Sequence, residues 1–380
     1  MNKKRFFILI GAAFLLPMAL LAFHGGPDDH GKAAPDGPYV FHRAGLLLVK
    51  TTEMRDTGIS VRTVQYTNRD QVLLTCKPND RDHFSFLLKD TLKNEPDQYD
   101  MPAKMLALSD IEGNFEALKL MLTGAKIIDD DFKWRFGKGH LVLVGDFFDR
   151  GNNVTECLWL VYKLEIEAEA AGGKVHFILG NHEILNLQGV TEYVRGKYIA
   201  NAYIMGEEYI RLFDANTELG RWLRTKNAIE KIGDFVFCHG GLSPELAKTK
   251  LALSDINRIA RQHLGKKYEN IPAGNAKIIF DKLTGVFWYR EAAKNKLTNQ
   301  QMVEILDFVN AKRMVVGHTL VPDLTAQYGG RLICIDLYHE ENMRRGFMKS
   351  LWVENGNCFG MDSRGQKTDI NTIMFPEKQD

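Results

Sequence analysis

The sequence predicts an α/β fold built on a parallel sheet. Three observations carry this. Short apolar runs at 104–108, 141–144 and 175–179 alternate with helix-like stretches. The first of these stretches carries Phe115, Leu118, Leu120, Met121 and Leu122, and the second is an amphipathic segment over 157–171. Strand–helix–strand–helix–strand order is the signature of parallel-sheet units. The runs are apolar throughout, as strands buried on both faces require. Each run also ends in polar groups that are costly to bury without partners, at the sheet edge where such folds bind ligands.

From the N-terminus, Lys3, Lys4 and Arg5 precede an apolar run over 6–23 that Gly11 and Pro17 interrupt. A basic start followed by an apolar run is the layout of a secretory signal. At 18 residues it is also long enough to span a bilayer, and no Ala-x-Ala site follows. A cleaved signal peptide and a retained membrane anchor are both open over 1–23. Either places the rest of the chain outside the cytoplasm, periplasmic or secreted, with membrane contact only through residues 6–23. Residues 24–38, rich in Gly, Pro, Asp and His, read as a linker.

Residues 39–100 read as a small β-rich module, with strand-like runs at 40–50, 59–66, 71–77 and 83–88 between polar turns. It carries no catalytic constellation; it either shapes substrate access or is a packing cap, the second being the safer reading. The main domain is expected over 101–360. A helical insertion at 184–228 has Tyr198, Ala202, Met205, Tyr209 and Leu212 at three- and four-residue steps. In the 157–171 helix, Leu160, Leu164 and Ile166 are expected inward, and Glu165, Glu167 and Glu169 outward. Strands follow at 235–238 and 313–316, with a mainly helical stretch at 245–310 between them and closing strands at 332–335 and 349–353. Residues 361–380 read as a C-terminal tail.

Composition excludes several classes. The chain has 380 residues, 26% of them charged and 45% hydrophobic, and a formal net charge of +1. That is ordinary for a globular protein and lacks the basic excess of a nucleic-acid binder. Five cysteines without a Cys-x-x-Cys form neither a zinc knuckle nor a disulfide framework. Cys157, Cys238 and Cys334 lie in apolar runs and read as core thiols, and nothing local supports a Cys76–Cys358 bridge.

The chemistry sits at the strand ends. The 141–144 run stops at Gly145, and Asp146, Asp149 and Arg150 follow within five residues. Across the chain, five strand ends carry metal-competent groups: Asp110, Asp146, Asn181, His239 and His318. Oxygen and imidazole donors without thiolate suit manganese, iron, zinc or magnesium. Any one of them alone is explained by structure; five on consecutive strands are not.

At these residues the chain resembles the calcineurin-like metallophosphoesterases, and most of all their protein-phosphatase branch. The matching pieces are Asp110-Ile-Glu-Gly-Asn114, Gly145-Asp-Phe-Phe-Asp-Arg-Gly151, Gly180-Asn-His-Glu183, His239-Gly-Gly-Leu-Ser-Pro244 and Gly317-His-Thr319. Leu185-Asn-Leu-Gln-Gly189 and Leu219-Gly-Arg-Trp-Leu-Arg224 also resemble the Shewanella-like protein phosphatases. The resemblance covers about residues 104–353. It implies a β-sandwich flanked by helices, in four αββα layers, and a pair of divalent metal ions. Asp110 would bind the first metal, Asp146 would bridge both, and Asn181, His239 and His318 would hold the second. A metal-bridging hydroxide would attack phosphorus in line. His182 would protonate the leaving oxygen, and Asp149 would orient it and favour its charged form. Arg150 offers a planar fork to two phosphate oxygens. Arg290, closing the apolar run 285–289, is either a second phosphate clamp or a surface arginine.

One departure stands out. The usual Asp-x-His of the family is here Asp110-x-Glu112. As a ligand, Glu112 replaces a neutral donor by an anion and favours hard metals, manganese above all, or magnesium. Otherwise Glu112 does not ligate. The expected function is hydrolysis of phosphomonoesters, phosphoprotein Ser/Thr or Tyr first. Nucleotide or dinucleoside polyphosphate hydrolysis is the second enzymatic reading. A phosphatase-like binding module with a weakened first metal site is the third. The expected partner is a phosphorylated protein or small phosphoester, and not a nucleic acid.

Overall fold

The computed structural model describes residues 34–346 and 348–370. The expected leader at 1–23, most of the linker and residues 371–380 lie outside them. Among the described residues, no helix is long and apolar enough to cross a membrane.

Two six-stranded sheets form the centre. In the first, Lys367–Asp369, Asn357–Asp362, Lys349–Glu354, Lys104–Leu108, His140–Leu143 and Lys174–Phe177 lie side by side in that order. Its last three strands run parallel. In the second the order is Thr325–Gln327, Leu332–Cys334, Arg313–Val316, Phe235–Cys238, Ile229–Ile232 and Gln98–Tyr99. There Phe235–Cys238, Arg313–Val316 and Leu332–Cys334 are parallel. Leu106, Val142 and Val175 of one sheet and Val236, Val315 and Ile333 of the other belong to a single buried core. His176 Nδ1 and Glu230 Oε2 meet across the sheets at 2.7 Å, and Tyr99 sets its ring edge-on to His176. With helices packed on the sheets, this is the four-layer metallophosphoesterase arrangement.

The parallel strands need crossovers, and helices supply them. Phe115–Gly124 starts at Asn114, whose side chain accepts from Ala117 N at 3.0 Å, and buries Phe115, Leu118, Met121 and Leu122. Val154–Ala170 is buried over most of its surface. Glu165, expected outward, is 1% exposed. It pairs with Lys226 and Lys89 at 2.7 Å each and accepts from Trp222 Nε1 at 2.9 Å. The helix reads as amphipathic, but the 184–228 insertion and the N-terminal segment cover its polar face.

That N-terminal segment forms a three-stranded sheet, Tyr39–Arg43, Leu46–Arg55 and Gly58–Tyr66, and a hairpin of Leu73–Cys76 with Phe84–Leu87. The run expected as one strand over 40–50 is two, because Ala44 and Gly45 take positive φ and turn the chain. The segment packs on the Val154–Ala170 helix: Trp159 Nε1 donates to Pro38 O at 2.8 Å, and the Phe86 ring meets Trp159 and Tyr162. Gln98–Tyr99, inside the stretch read as the β-rich module, pairs with Ile229–Ile232. At the other end, Asn357–Asp362 and Lys367–Asp369 extend the first sheet where a tail was expected. All five cysteines are buried and free.

Candidate metal centre and active site

The carboxyl ends of the parallel strands of both sheets meet. At Gly145 (φ 81°) a Cβ would lie 2.6 Å from Gly180 Cα and 2.8 Å from His239 Nδ1. Only glycine lets three loops approach so closely. Glu183, fully buried, ties two of them together. Its carboxylate accepts from Asp146 N at 2.8 Å, Phe147 N at 2.7 Å and Gly180 N at 2.6 Å. Asp146 Oδ1 returns the tie by accepting from His182 N at 2.9 Å. Asp110, Glu112, Asp146, Asp149, Arg150 and His318 all adopt positive φ, between 48° and 72°. Such conformations are costly for residues with side chains and gather at functional sites.

The donors converge inside this knot. His239 Nδ1 lies 2.7 Å from Val144 O, which fixes its proton there and turns Nε2 inward. Nε2 is 3.0 Å from both Asp146 Oδ2 and Asn181 Oδ1. His318 points its Nε2 to Trp288 O at 3.1 Å and its Nδ1 to the Arg290 guanidinium at 3.3 Å, and its main-chain N lies 3.2 Å from Asp110 Oδ2. Donor atoms of Asp146, His239 and His318 lie within 4.8 Å of one another, and so do those of Glu112, Asp146 and His182. These two sets share Asp146.

The electrostatics are those of a pocket built for positive charge. Burial works against the charged form of Asp146, but His239, His182 and His318 outweigh it and lower its pKa. Burial also opposes a charged His239, yet Asp146 and Asp110 push it up to about 10. Burial raises Asp110 well above the carboxylate range, with Asp336 adding to it. Burial, His239 and Arg290 push His318 down to about 2, so its ring is neutral; His239 would give up its extra proton on binding a cation. A tight set of carboxylate, amide and imidazole donors with surplus negative charge fits divalent cations. Asp146, Asn181, His239 and His318 would hold one, and Asp110 and Asp146 the other.

His182 stands beside this set. Its Nδ1 is 2.5 Å from Asp149 Oδ2, and its Nε2 is 3.9 Å from Asp146 Oδ2. Burial lowers its pKa, but Asp149 and Asp146 more than compensate and raise it. Arg150 donates to Glu112 Oε1, so the fork expected to meet phosphate is engaged by the residue in the family's histidine position. Arg290 is no isolated surface residue: it donates to His318 O, and its second terminal nitrogen is 3.3 Å from His318 Nδ1. Arg150, His182, Tyr193, Trp288, Arg290 and His318 line one open cleft of about 860 Å³.

The structure thus brings together all ten residues singled out in the sequence: Asp110, Glu112, Asp146, Asp149, Arg150, Asn181, His182, His239, Arg290 and His318. It adds three. Glu183 is the loop tie; within Gly-Asn-His-Glu its spacing back to Gly180, three residues on, was the available signal. Tyr193 packs its ring against His182 and lies under Arg150; nothing in the sequence marked it. Asp336 follows the strand Leu332–Cys334 as Asp110 follows its own strand, the same layout in a stretch read only as a closing strand.

This fold and this donor set define a metal-dependent hydrolase of phosphoric esters. The chain belongs to the calcineurin-like phosphoesterase family, whose pattern residues 103–322 match. It is 32% identical over 236 residues to Shewanella-like protein phosphatase 1 of Plasmodium berghei, a match covering 60% of this chain and 64% of that protein. It is 27% identical over 274 residues to Shewanella-like protein phosphatase 2 of Arabidopsis thaliana, covering 59% of this chain and 68% of the relative. Among solved structures it resembles a cold-active protein-tyrosine phosphatase of a psychrophilic Shewanella species. That likeness has a TM-score of 0.79 and 31% identity, and covers 89% of this chain and 99% of the other.

Proposed function

We propose that the chain is a two-metal phosphomonoesterase acting on phosphorylated protein side chains, phosphotyrosine first. The observation that carries this is the buried His182–Asp149 pair set directly against the shared carboxylate Asp146, at the floor of an open cleft. Bound divalent cations would neutralise phosphate charge and make water a nucleophile at neutral pH. The oxygen-rich first-metal side favours manganese. His182, its charge sustained by Asp149, hands the Nε2 proton to the leaving oxygen. Arg150, swinging from Glu112, and Arg290 hold the non-bridging phosphate oxygens. Tyr193, beside His182, and Leu185 on the cleft wall offer an apolar face to an aromatic leaving group. The tyrosine-phosphatase name of the Shewanella structure supports the same choice.

The test is turnover with manganese of matched phosphotyrosine, phosphoserine and phosphothreonine peptides beside diadenosine tetraphosphate. Faster hydrolysis of phosphotyrosine is expected. Hydrolysis of the dinucleotide alone would overturn the reading, and binding of phosphopeptide without turnover would favour a non-catalytic module. We further propose that residues 6–23 carry the chain out of the cytoplasm, on the strength of Lys3, Lys4 and Arg5 before that apolar run. Fractionation of cells expressing the full chain checks this.

A further inference from the structure

We propose that Asp336 is a further carboxylate of the first-metal pocket, the side served by Asp110, and that its negative charge sets the affinity of that pocket for a divalent cation. The inference rests on the two-metal reading above.

Strand register places the residue. Cys334 pairs with Val316 on the adjacent parallel strand, and Ile335 N donates to Val316 O at 2.9 Å. Asp336 therefore leaves its strand beside His318, whose main-chain N lies 3.2 Å from Asp110 Oδ2. Its own carbonyl accepts from Val321 N at 2.9 Å, which ties the backbone down. The residue is 7% exposed, yet among the described residues its carboxylate takes no hydrogen bond and no ion pair. The charges acting on it are Glu112, His239, Asp146 and Arg290. Arg290, the guanidinium at hand, spends its hydrogen bonds on His318.

A nearly buried carboxylate with no donor, in the company of Asp110, Glu112 and Asp146, is costly to ionise, and burial pushes it up to about 7 with Glu112 adding; a bound cation would balance its charge. No structural bond explains why a carboxylate is buried here. The family's histidine position supplies the second half of the argument. Glu112, which stands there, is turned to Arg150. With one Glu112 oxygen held by Arg150, Asp336 adds negative charge to the first-metal side from the opposite strand end.

The experiment is titration of the full chain with Mn²⁺ alone, by calorimetry and by melting temperature, without substrate. The wild-type protein is expected to bind two ions. Asp336→Asn should keep one site unchanged and weaken the other about 10–100-fold, the cost typical of losing an outer carboxylate at a metal site; Asp336→Glu should restore most of it. Metal-free Asp336→Asn should melt no lower than metal-free wild type, because an unpaired buried charge is gone. A purely structural aspartate would show the reverse. Asp336→Ser serves as a second neutral replacement if the amide does not fold. The proposal alone fails if wild type binds two ions and the neutral variants bind both with unchanged affinity. If wild type binds none, the two-metal reading falls with it.

Discussion

At the scale of single residues, His182 and Asp149 give the sharpest expectation. Asp149 Oδ2, 2.5 Å from His182 Nδ1, keeps the ring charged to higher pH than its burial would allow. In Asp149→Asn that support is lost, and the His182 pKa falls. The alkaline limb of kcat should then move to lower pH, and kcat for an alkyl phosphate should drop about 10²–10⁴-fold, the range for a general acid. An aryl phosphate with an acidic phenol needs little protonation and should lose far less. Equal losses for both esters, read from pH–rate profiles, would remove His182 from the acid role. Glu112 makes the complementary case. Glu112→His restores the family's donor and releases Arg150 from its ion pair. Activity should persist, with the preference among manganese, magnesium and zinc moving toward zinc; assays across those metals check it. Inactivity with each of them would mean that the carboxylate is required.

At the scale of elements, the Val154–Ala170 helix shows what sequence reading reaches and what it does not. Its helical period was legible, and so were the strands on either side, because both depend on local spacing. Which of its charged residues face water was not, since that depends on segments far away in the chain. Glu165 is covered by Lys226 and Trp222, and Glu156 is buried within the field of Lys197 and Asp36. The candidate donors were legible for the first reason: each follows an apolar run that must be a buried strand. Asp336 obeys the same rule: its strand was legible, but only as a closing strand, and the aspartate two residues beyond it was not counted among the donors. Glu156 leads to a stability prediction. It is buried, its Oε2 has no hydrogen-bond partner, and burial raises its pKa to about 8, with Lys197 opposing and Asp36 adding. A glutamate in the unfolded chain titrates near ~4.3. Its folded-state pKa is therefore the higher one. Its protonated form favours folding at low pH, and that contribution is lost as pH rises from about 4.5 through 8. Glu156→Gln should thus gain stability relative to wild type as pH goes from 5 to 8. Urea unfolding at intervals over that range tests it; a difference that does not change with pH would contradict it.

At the scale of the whole molecule, the centre is also a clasp. Asp110, Asp146 and Asn181 come from the first sheet, and His239 and His318 from the second. Cations held between them would join the halves of the sandwich where the carboxylates Asp110, Glu112 and Asp146 otherwise repel. Binding to the folded state alone stabilises by RT ln(1 + [L]/Kd), about 4 kcal/mol at a thousandfold excess over Kd. Manganese should therefore raise the melting temperature by several degrees, and a chelator should reverse it. A site confined to one sheet would do as much, so the discriminating measurement is where protection appears. With metal, amide exchange should slow together in the loops after His140–Leu143 and Lys174–Phe177 and in those after Phe235–Cys238 and Arg313–Val316. The core strands should change little, because Leu106, Val142 and Val315 are already fully buried without a cation. Protection in the loops of one sheet alone would show that Asp146 does not join the two sets of donors, and the shared carboxylate on which the chemistry depends would have to be given up.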